Sequence, residues 1–131
     1  MDNKQLPTIM VVDDDEDLLS AMTFLLQRYG FQVEARSTAP NWVDLQAIHP
    51  ALIFMDVELA DVNGVFVCKA IKENLTHWNL PVVLTSGHSQ EQLEREAHFC
   101  HADAILAKPF GSGAMRKLAE HFTCPPRLSG R

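Results

Sequence analysis

The chain has 131 residues, of which 47% are hydrophobic and 21% charged, and its formal net charge is −6. This length and composition predict one globular domain with an ordinary hydrophobic core. The negative charge, with no cluster of lysine and arginine, argues against direct binding of nucleic acid or an anionic membrane. The sequence contains neither an apolar run of roughly 20 residues nor the start of a secretory signal. We therefore expect a cytoplasmic protein.

The first predicted element is an apolar, β-branched run at residues 9–12, typical of a strand buried on both faces of a sheet. Five consecutive acids follow, at residues 13–17. Apolar residues then recur at helical spacing over residues 16–29, and Gly30 predicts the end of that helix. The last three acids are expected to begin the helix, where its dipole favours them. Two carboxylates about 4 Å apart repel by roughly 4 kcal/mol at an effective dielectric near 20, so the first two acids need water, a proton or a cation.

Four more strand patterns alternate with four more helix patterns along the chain. Strands are predicted at residues 31–36, 51–55, 81–86 and 104–107. Helices are predicted at residues 40–48, 65–75, 90–99 and 111–122. In the helix over residues 65–75, the residues expected to face inward are Val67, Ala70, Ile71 and Leu75. Strict alternation predicts an α/β fold with a parallel sheet, helices on both faces and right-handed crossovers.

Polar side chains follow four of the predicted strands at the point where each strand ends. They are Asp13 and Asp14, then Asp56, then Thr85 and Ser86, then Lys108. In an open parallel sheet these ends lie along one edge, where ligands bind, so the side chains are expected to share one pocket. Converging carboxylates suit a hard divalent cation such as Mg²⁺. A carboxylate beside that ion can attack phosphorus, while the metal and Lys108 stabilise the phosphoryl oxygens.

Five motifs in fixed order carry a resemblance to a known family. They are V-V-D-D-D at 11–15, F-M-D at 54–56, Gly64, P-V-V-L-T-S-G at 81–87 and A-K-P-F at 107–110. With these motifs the chain closely resembles the receiver domain of bacterial two-component response regulators over about residues 8–122. The resemblance implies a doubly wound sheet with strand order 2-1-3-4-5, as in the chemotaxis regulator. Residues 1–7 would be a lead, and residues 123–131 a polar tail or linker stub.

By this resemblance, Asp56 accepts a phosphoryl group from a phosphohistidine on a sensor histidine kinase or a histidine phosphotransfer protein. Asp14 is expected to bind Mg²⁺ directly and Asp13 largely through water. The backbone carbonyl of Glu58 is expected to be a further ligand. The chain would then be a phosphorelay signalling domain and not an enzyme, because it would catalyse only its own phosphotransfer and dephosphorylation.

The resemblance also assigns roles at the ends of the last two strands. Lys108 is expected to pair with the phosphate and to be joined to Pro109 by a cis peptide bond. Ser86 is expected to be the hydroxyl that binds the phosphoryl oxygens and switches a protein-interaction surface. Thr85 takes that place if the strand register shifts by one residue. A surface that changes on phosphorylation is compatible with a phosphorylation-dependent homodimer.

Three positions depart from the usual pattern of the family. Ala60 stands where proline is common, so that loop is expected to be less rigid. Ile105 replaces an aromatic residue that often couples phosphorylation to the surface of helix 4, strand 5 and helix 5, which puts that signal in doubt. Glu58 places a charge at the pocket rim, where it can alter the lifetime of the aspartyl phosphate.

Of Leu18 and Leu19, one exceeds what the inward helix face needs, and we expect Leu19 to be exposed on a partner-docking face.

Two other functions fit parts of the pattern. A receiver-like scaffold that never takes phosphate would bind partners through the same fold, but the complete set of pocket residues disfavours it. A phosphohydrolase of the haloacid dehalogenase type also has a strand leading into acids. Here, however, the acids at residues 13–15 lack the following Gly-Thr, and no cap domain is present.

Overall fold

The computed structural model describes residues 6–75 and 78–123. Apart from Thr123, which ends the last helix, the tail predicted at residues 123–131 lies outside the described residues, as does most of the lead predicted at residues 1–7. The strands are β1 (Thr8–Val12), β2 (Gln32–Arg36), β3 (Leu52–Asp56), β4 (Val82–Ser86) and β5 (Ala104–Ala107). The helices are α1 (Glu16–Arg28), α2 (Trp42–Ile48), α3 (Gly64–Asn74), α4 (Gln90–Cys100) and α5 (Ser112–Thr123). Every element agrees with the sequence prediction to within two residues at each end.

The five strands form one parallel sheet in the order β2-β1-β3-β4-β5, which confirms the predicted topology. The chain leaves β1 toward one edge of the sheet to form β2, and it then returns past β1 to form β3. The direction of winding therefore reverses between β1 and β3. Because loops after these two strands run to opposite faces, a crevice opens at their carboxyl ends, where ligands bind in sheets of this kind.

The sheet has a hydrophobic core on each face. One core lies under α1 and α5 and includes Met22, Leu26, Met115 and Ala119, which are all buried. The other lies under α2, α3 and α4 and includes Leu45, Val65, Cys68, Ile71, Leu93 and Cys100. Strands β3 and β4 are buried along their whole length, as apolar strands of a parallel sheet covered on both faces should be.

The inward face of α3 differs from the prediction. Val65, Cys68 and Ile71 are buried, whereas Val67 and Ala70 are only half-buried. The helix begins at Gly64, after Asn63, whose side chain caps it by accepting a hydrogen bond from the Val65 N–H (2.8 Å). The first turn of α3 packs closely against the end of β3, and this contact sets the rotation of the helix. The hydrophobic pattern of the sequence does not predict such a contact.

The N-terminus of α1 follows the prediction that acids begin this helix. Asp15 caps α1, since its side chain accepts hydrogen bonds from the N–H groups of Asp17 and Leu18 at 3.1 and 3.2 Å. The acids after Asp14 thus start the helix, and Asp15 also lines the surface cavity beside Lys108 and Pro109. Within the described ranges, every helix is too short or too polar to span a bilayer.

Candidate functional site

Three carboxylates converge where β1 and β3 end side by side. One oxygen from each of Asp13, Asp14 and Asp56 lies within 4.8 Å of the other two. Asp13 and Asp56 are buried, and Asp14 is exposed on the open side of the cluster. The pairing of Val12 with Met55 in neighbouring parallel strands brings these side chains together. The structure therefore assembles the acidic cluster that the strand ends predict.

Lys108 reaches the same cluster from the end of β5. Its Nζ atom lies 3.0 Å from Asp13 Oδ2 and 3.3 Å from Asp56 Oδ1. The backbone N–H of Lys108 donates to the backbone oxygen of Ser86 (2.7 Å), which anchors the lysine beside the end of β4. The peptide bond between Lys108 and Pro109 is cis. One ammonium group is thus shared between two buried carboxylates.

The electrostatics of the cluster favour a proton or a cation. Burial and the charge of Asp13 raise the pKa of Asp56 from its ordinary value of 3.8 to about 6, although Lys108 opposes this shift. Burial lowers the pKa of Lys108, but the neighbouring Asp13 and Asp56 carboxylates outweigh this effect and raise that pKa overall. Above about pH 6, Asp56 is therefore ionised beside the Lys108 ammonium group.

The donor set fits a hard divalent cation. Asp13 Oδ2 is buried and makes no hydrogen bond among the described residues, because Lys108 Nζ, although close, is not oriented to donate one to it. Carboxylate oxygens are the ligands that Mg²⁺ prefers, and the exposed Asp14 leaves an open side where the ion can keep its waters. The residues present therefore suit a metal site.

The hydroxyl groups at the end of β4 are both buried. Ser86 is the last residue of the strand, and its Oγ atom accepts a hydrogen bond from the His88 N–H (2.9 Å). This leaves the hydroxyl proton of Ser86 free to be donated. Thr85 is paired with Asp56 across the ladder, one residue earlier. Ser86 is tied to the Lys108 backbone as described above, and this favours Ser86 over Thr85 as the pocket hydroxyl.

The sequence analysis missed one residue at the rim of the pocket, His88. Its Nε2 atom lies 2.9 Å from Glu58 Oε2, and its Nδ1 atom lies 3.2 Å from Glu96 Oε1 on α4. The hydrogen bond to Glu96 is the largest of the contacts that raise the pKa of His88. The spacing of His88, two residues after Ser86, was visible in the sequence, but its two carboxylate partners become neighbours only in the fold.

The two hydrophobic residues named as switch or docking positions lie against the core. Ile105 is half-buried in the core under α3 and α4 and pairs with Leu84. Leu19 is half-buried against the core under α1, so the expectation that it is exposed is wrong. Leu18 instead lines a surface cavity of about 390 Å³ with Lys108 and Pro109. An α-helix has 3.6 residues per turn, so adjacent residues point in different directions, and in α1 it is Leu18 that lines the cavity beside Lys108.

Replacing Asp56 with asparagine is expected to stabilise the metal-free protein at pH 8 by about 2 kcal/mol. The native state keeps the Asp56 proton up to about pH 6, whereas the unfolded chain loses it near pH 3.8. Between these values the native state binds more protons, so wild-type stability falls as pH rises. The measurement is urea unfolding in a chelator at pH 8 and pH 4, and the advantage of Asp56→Asn should vanish at pH 4. Asp61 is an exposed acid in the loop that follows β3, so Asp61→Asn is the control, and its stability should differ little from that of the wild type at either pH.

Together, the doubly wound sheet and the acidic pocket with its lysine define a class of α/β protein with a site that could hold a cation at the carboxyl edge of its strands. The family model of the response regulator receiver domain matches residues 9–120. The chain therefore belongs to the receiver domain family of two-component response regulators. Function in that family depends on phosphorylation.

Similar proteins agree with this assignment. Protein RcaC of Microchaete diplosiphon is 31% identical over 103 residues, which cover 77% of this chain and 16% of RcaC. The transcriptional regulatory protein KdpE of Mycobacterium tuberculosis is 30% identical over 104 residues, covering 79% of this chain and 45% of KdpE. The chain thus spans less than half the length of each of these curated relatives.

Solved structures show the same fold. The chemotaxis protein CheY4 of Vibrio cholerae superposes with a TM-score of 0.81 at 19% identity, covering 90% of this chain and 99% of CheY4. The BeF3-activated receiver domain of DrrB superposes with a TM-score of 0.78 at 24% identity, covering 90% of this chain and 97% of that receiver domain. At these identities the likeness concerns the fold alone.

Proposed function

We propose that the chain is switched by transfer of a phosphoryl group from a phosphohistidine onto Asp56. The donor would be a sensor histidine kinase or a histidine phosphotransfer protein, encountered in the cytoplasm. The observation that carries this proposal is the position of Asp56, whose carboxylate shares Lys108 with Asp13 and lies beside Asp14. A buried nucleophile surrounded by a lysine and two further acids suits transfer of an anionic group with the help of a cation.

The residues of the chain can carry out this transfer without a further base. An oxygen of ionised Asp56 forms a bond to phosphorus while the bond from phosphorus to the histidine nitrogen breaks, and the imidazole leaves with that electron pair. Lys108 follows the charge from the carboxylates to the phosphoryl oxygens, since its Nζ is already within 3.3 Å of Asp56 Oδ1. Ser86 can donate its free hydroxyl proton to a phosphoryl oxygen once the group has arrived.

We further propose that Mg²⁺ is the cation of this site. Asp14 would bind it directly, Asp13 largely through water, and Asp56 and the backbone carbonyl of Glu58 would complete the protein ligands. The backbone of Glu58 borders the pocket, because its N–H donates to Asp56 Oδ1 at 3.2 Å. When bound, the ion neutralises charge on the phosphoryl oxygens during transfer. The carboxylates of Asp13, Asp14 and Asp56 would hold the ion, and Lys108 would stay available to the phosphoryl oxygens.

We propose that the output of the switch is an interaction with a partner protein. Relatives such as KdpE are named as transcriptional regulators, but the charge of this chain favours a protein as the partner of the part described here. A homodimer formed on phosphorylation remains a prediction. Ile105 lacks the aromatic ring that often carries the signal to α4 and α5, so we do not assign the partner-binding surface to these helices.

The test is the intact mass of the protein after incubation with Mg²⁺ and acetyl phosphate or a phosphorylated kinase. We expect a gain of one phosphoryl group that is absent in Asp56→Asn and absent when a chelator replaces Mg²⁺. Asp61→Asn is the matched control and should gain the group as the wild type does. No gain from several donors would overturn the proposal in favour of a phosphate-independent scaffold. Repeated hydrolysis of unrelated phosphate esters that depends on Asp13 would overturn it in favour of a phosphohydrolase.

A further inference from the structure

Helices α2, α3 and α4 carry most of the exposed hydrophobic side chains. Six large hydrophobic residues are exposed in the described part of the chain, and four of them lie on these helices: Trp42, Val43, Phe66 and Phe99. We call the surface formed by these four residues the aromatic face. Single exposed hydrophobic residues are common on soluble proteins, whereas a contiguous group of them marks a site of interaction.

Phe66 makes the aromatic face continuous across the three helices. Its ring meets the ring of Phe99 edge-on, with the centroids 6.1 Å apart. Toward α4, Phe66 lines a cavity of about 360 Å³ with Phe99 and Arg95. Toward α2, it lines a second cavity of about 310 Å³ with Trp42 and Val67. The exposed ring of Phe66 therefore stands between two apolar cavities.

The two ends of the aromatic face differ in their chemistry. The α2 end presents the indole of Trp42, and the residues that line its cavity are all uncharged. The α4 end presents the exposed side chain of Arg95 beside Phe99, while the acid of that cavity, Glu96, is held by His88 at 3.2 Å. A guanidinium group stacks on aromatic rings, and indole attracts it most strongly. The α4 end therefore complements the α2 end of a second copy.

The size of the aromatic face suits the centre of a small protein interface. Its three aromatic side chains are 42%, 59% and 49% exposed, equivalent to about one and a half whole side chains. At about 200 Å² for each whole side chain, this is roughly 300 Å² of apolar surface. A specific interface buries about 800 Å² on each partner, as an apolar centre with a polar rim. Polar residues of the same three helices would form that rim.

We propose that the aromatic face binds a second copy of this chain about a two-fold axis. Trp42 and Val43 of each copy enter the cavity between α3 and α4 of the other, where Arg95 stacks on the Trp42 indole. Because a two-fold axis makes each contact twice, the pair closes and leaves no aromatic face free for a third copy. The pairing needs neither Mg²⁺ nor a phosphoryl group, so it is independent of the proposed function.

The first test is sedimentation equilibrium of the unphosphorylated protein in a chelator, from about 1 μM to about 1 mM. We expect the wild type to pass from one copy to two copies within this range. Phe66→Ala, Trp42→Ala and Arg95→Ala should each raise the dissociation constant roughly tenfold or more, since each change removes two contacts from every pair. Phe24→Ala is the matched control, because Phe24 is 59% exposed like Phe66 but lies on α1.

An equal mixture of Trp42→Ala and Arg95→Ala gives the sharpest result. A pair of either variant alone has lost both contacts between Trp42 and Arg95, whereas a mixed pair keeps one of them. The mixture should therefore associate more tightly than either variant by itself. A wild type that stays a single copy up to about 1 mM would overturn the inference. So would a mixture no tighter than its components, growth beyond two copies, or an effect of Phe24→Ala equal to that of Phe66→Ala.

Discussion

Replacing Gly64 with alanine is expected to destabilise the domain by about 3 kcal/mol, the upper part of the range for overpacked sites. An added Cβ would overlap the backbone carbonyl oxygen of Asp56, lie 2.9 Å from its carbonyl carbon and lie 3.1 Å from Met55 Cγ. Backbone atoms cannot rotate away as a side chain does, so either α3 or the end of β3 must move. The measurement is the free energy of unfolding in urea.

A second effect of Gly64→Ala should appear at the phosphoryl acceptor. Movement of the β3 end displaces Asp56 from Lys108, so phosphoryl transfer from acetyl phosphate should slow even where the protein remains folded. Gly113→Ala is the matched control, since a Cβ on that residue of α5 meets nothing within 4 Å. Alanine favours the helix over glycine by about 1 kcal/mol, so this control should be slightly stabilised. Equal stabilities of the two variants would contradict the expectation.

Replacing Lys108 with alanine is expected to destabilise the metal-free protein at pH 8 by about 3 kcal/mol. Asp13 and Asp56 would then remain buried without their shared cation. The loss should shrink as pH falls below about 6, because the pKa of Asp56 is already near this value and rises further without the lysine. Protonation of Asp56 removes its negative charge and with it the repulsion from Asp13.

The stability loss in Lys108→Ala is measured by urea unfolding in a chelator at pH 8 and pH 5. Lys117→Ala provides the control, as an exposed lysine on α5 that should change stability by less than about 0.5 kcal/mol. A loss that stays the same at both pH values would contradict the electrostatic explanation and would point to lost packing of the lysine stem.

The sequence by itself was sufficient for the elements of the fold and for the acidic cluster with its lysine. Periodic apolar runs mark strands and helices because burial of one face is a local requirement of each element. The carboxyl ends of parallel strands lie along a common edge of the sheet. The proximity of Asp13, Asp56 and Lys108 was therefore predictable from the sequence. The order of the strands came from the family motifs, since periodicity does not distinguish one parallel order from another.

The tertiary structure decided the contacts between elements that are distant in sequence. It set the rotation of α3, which buries Cys68 and not Val67, and it placed Leu18 rather than Leu19 beside the pocket. It also brought Glu58 and Glu96 to the two nitrogens of His88. Such contacts depend on distances and angles across the packed layers, whereas sequence patterns report only which face of an element is buried. The acidic cluster was therefore predictable from the chain, and the contacts of His88 with Glu58 and Glu96 were not.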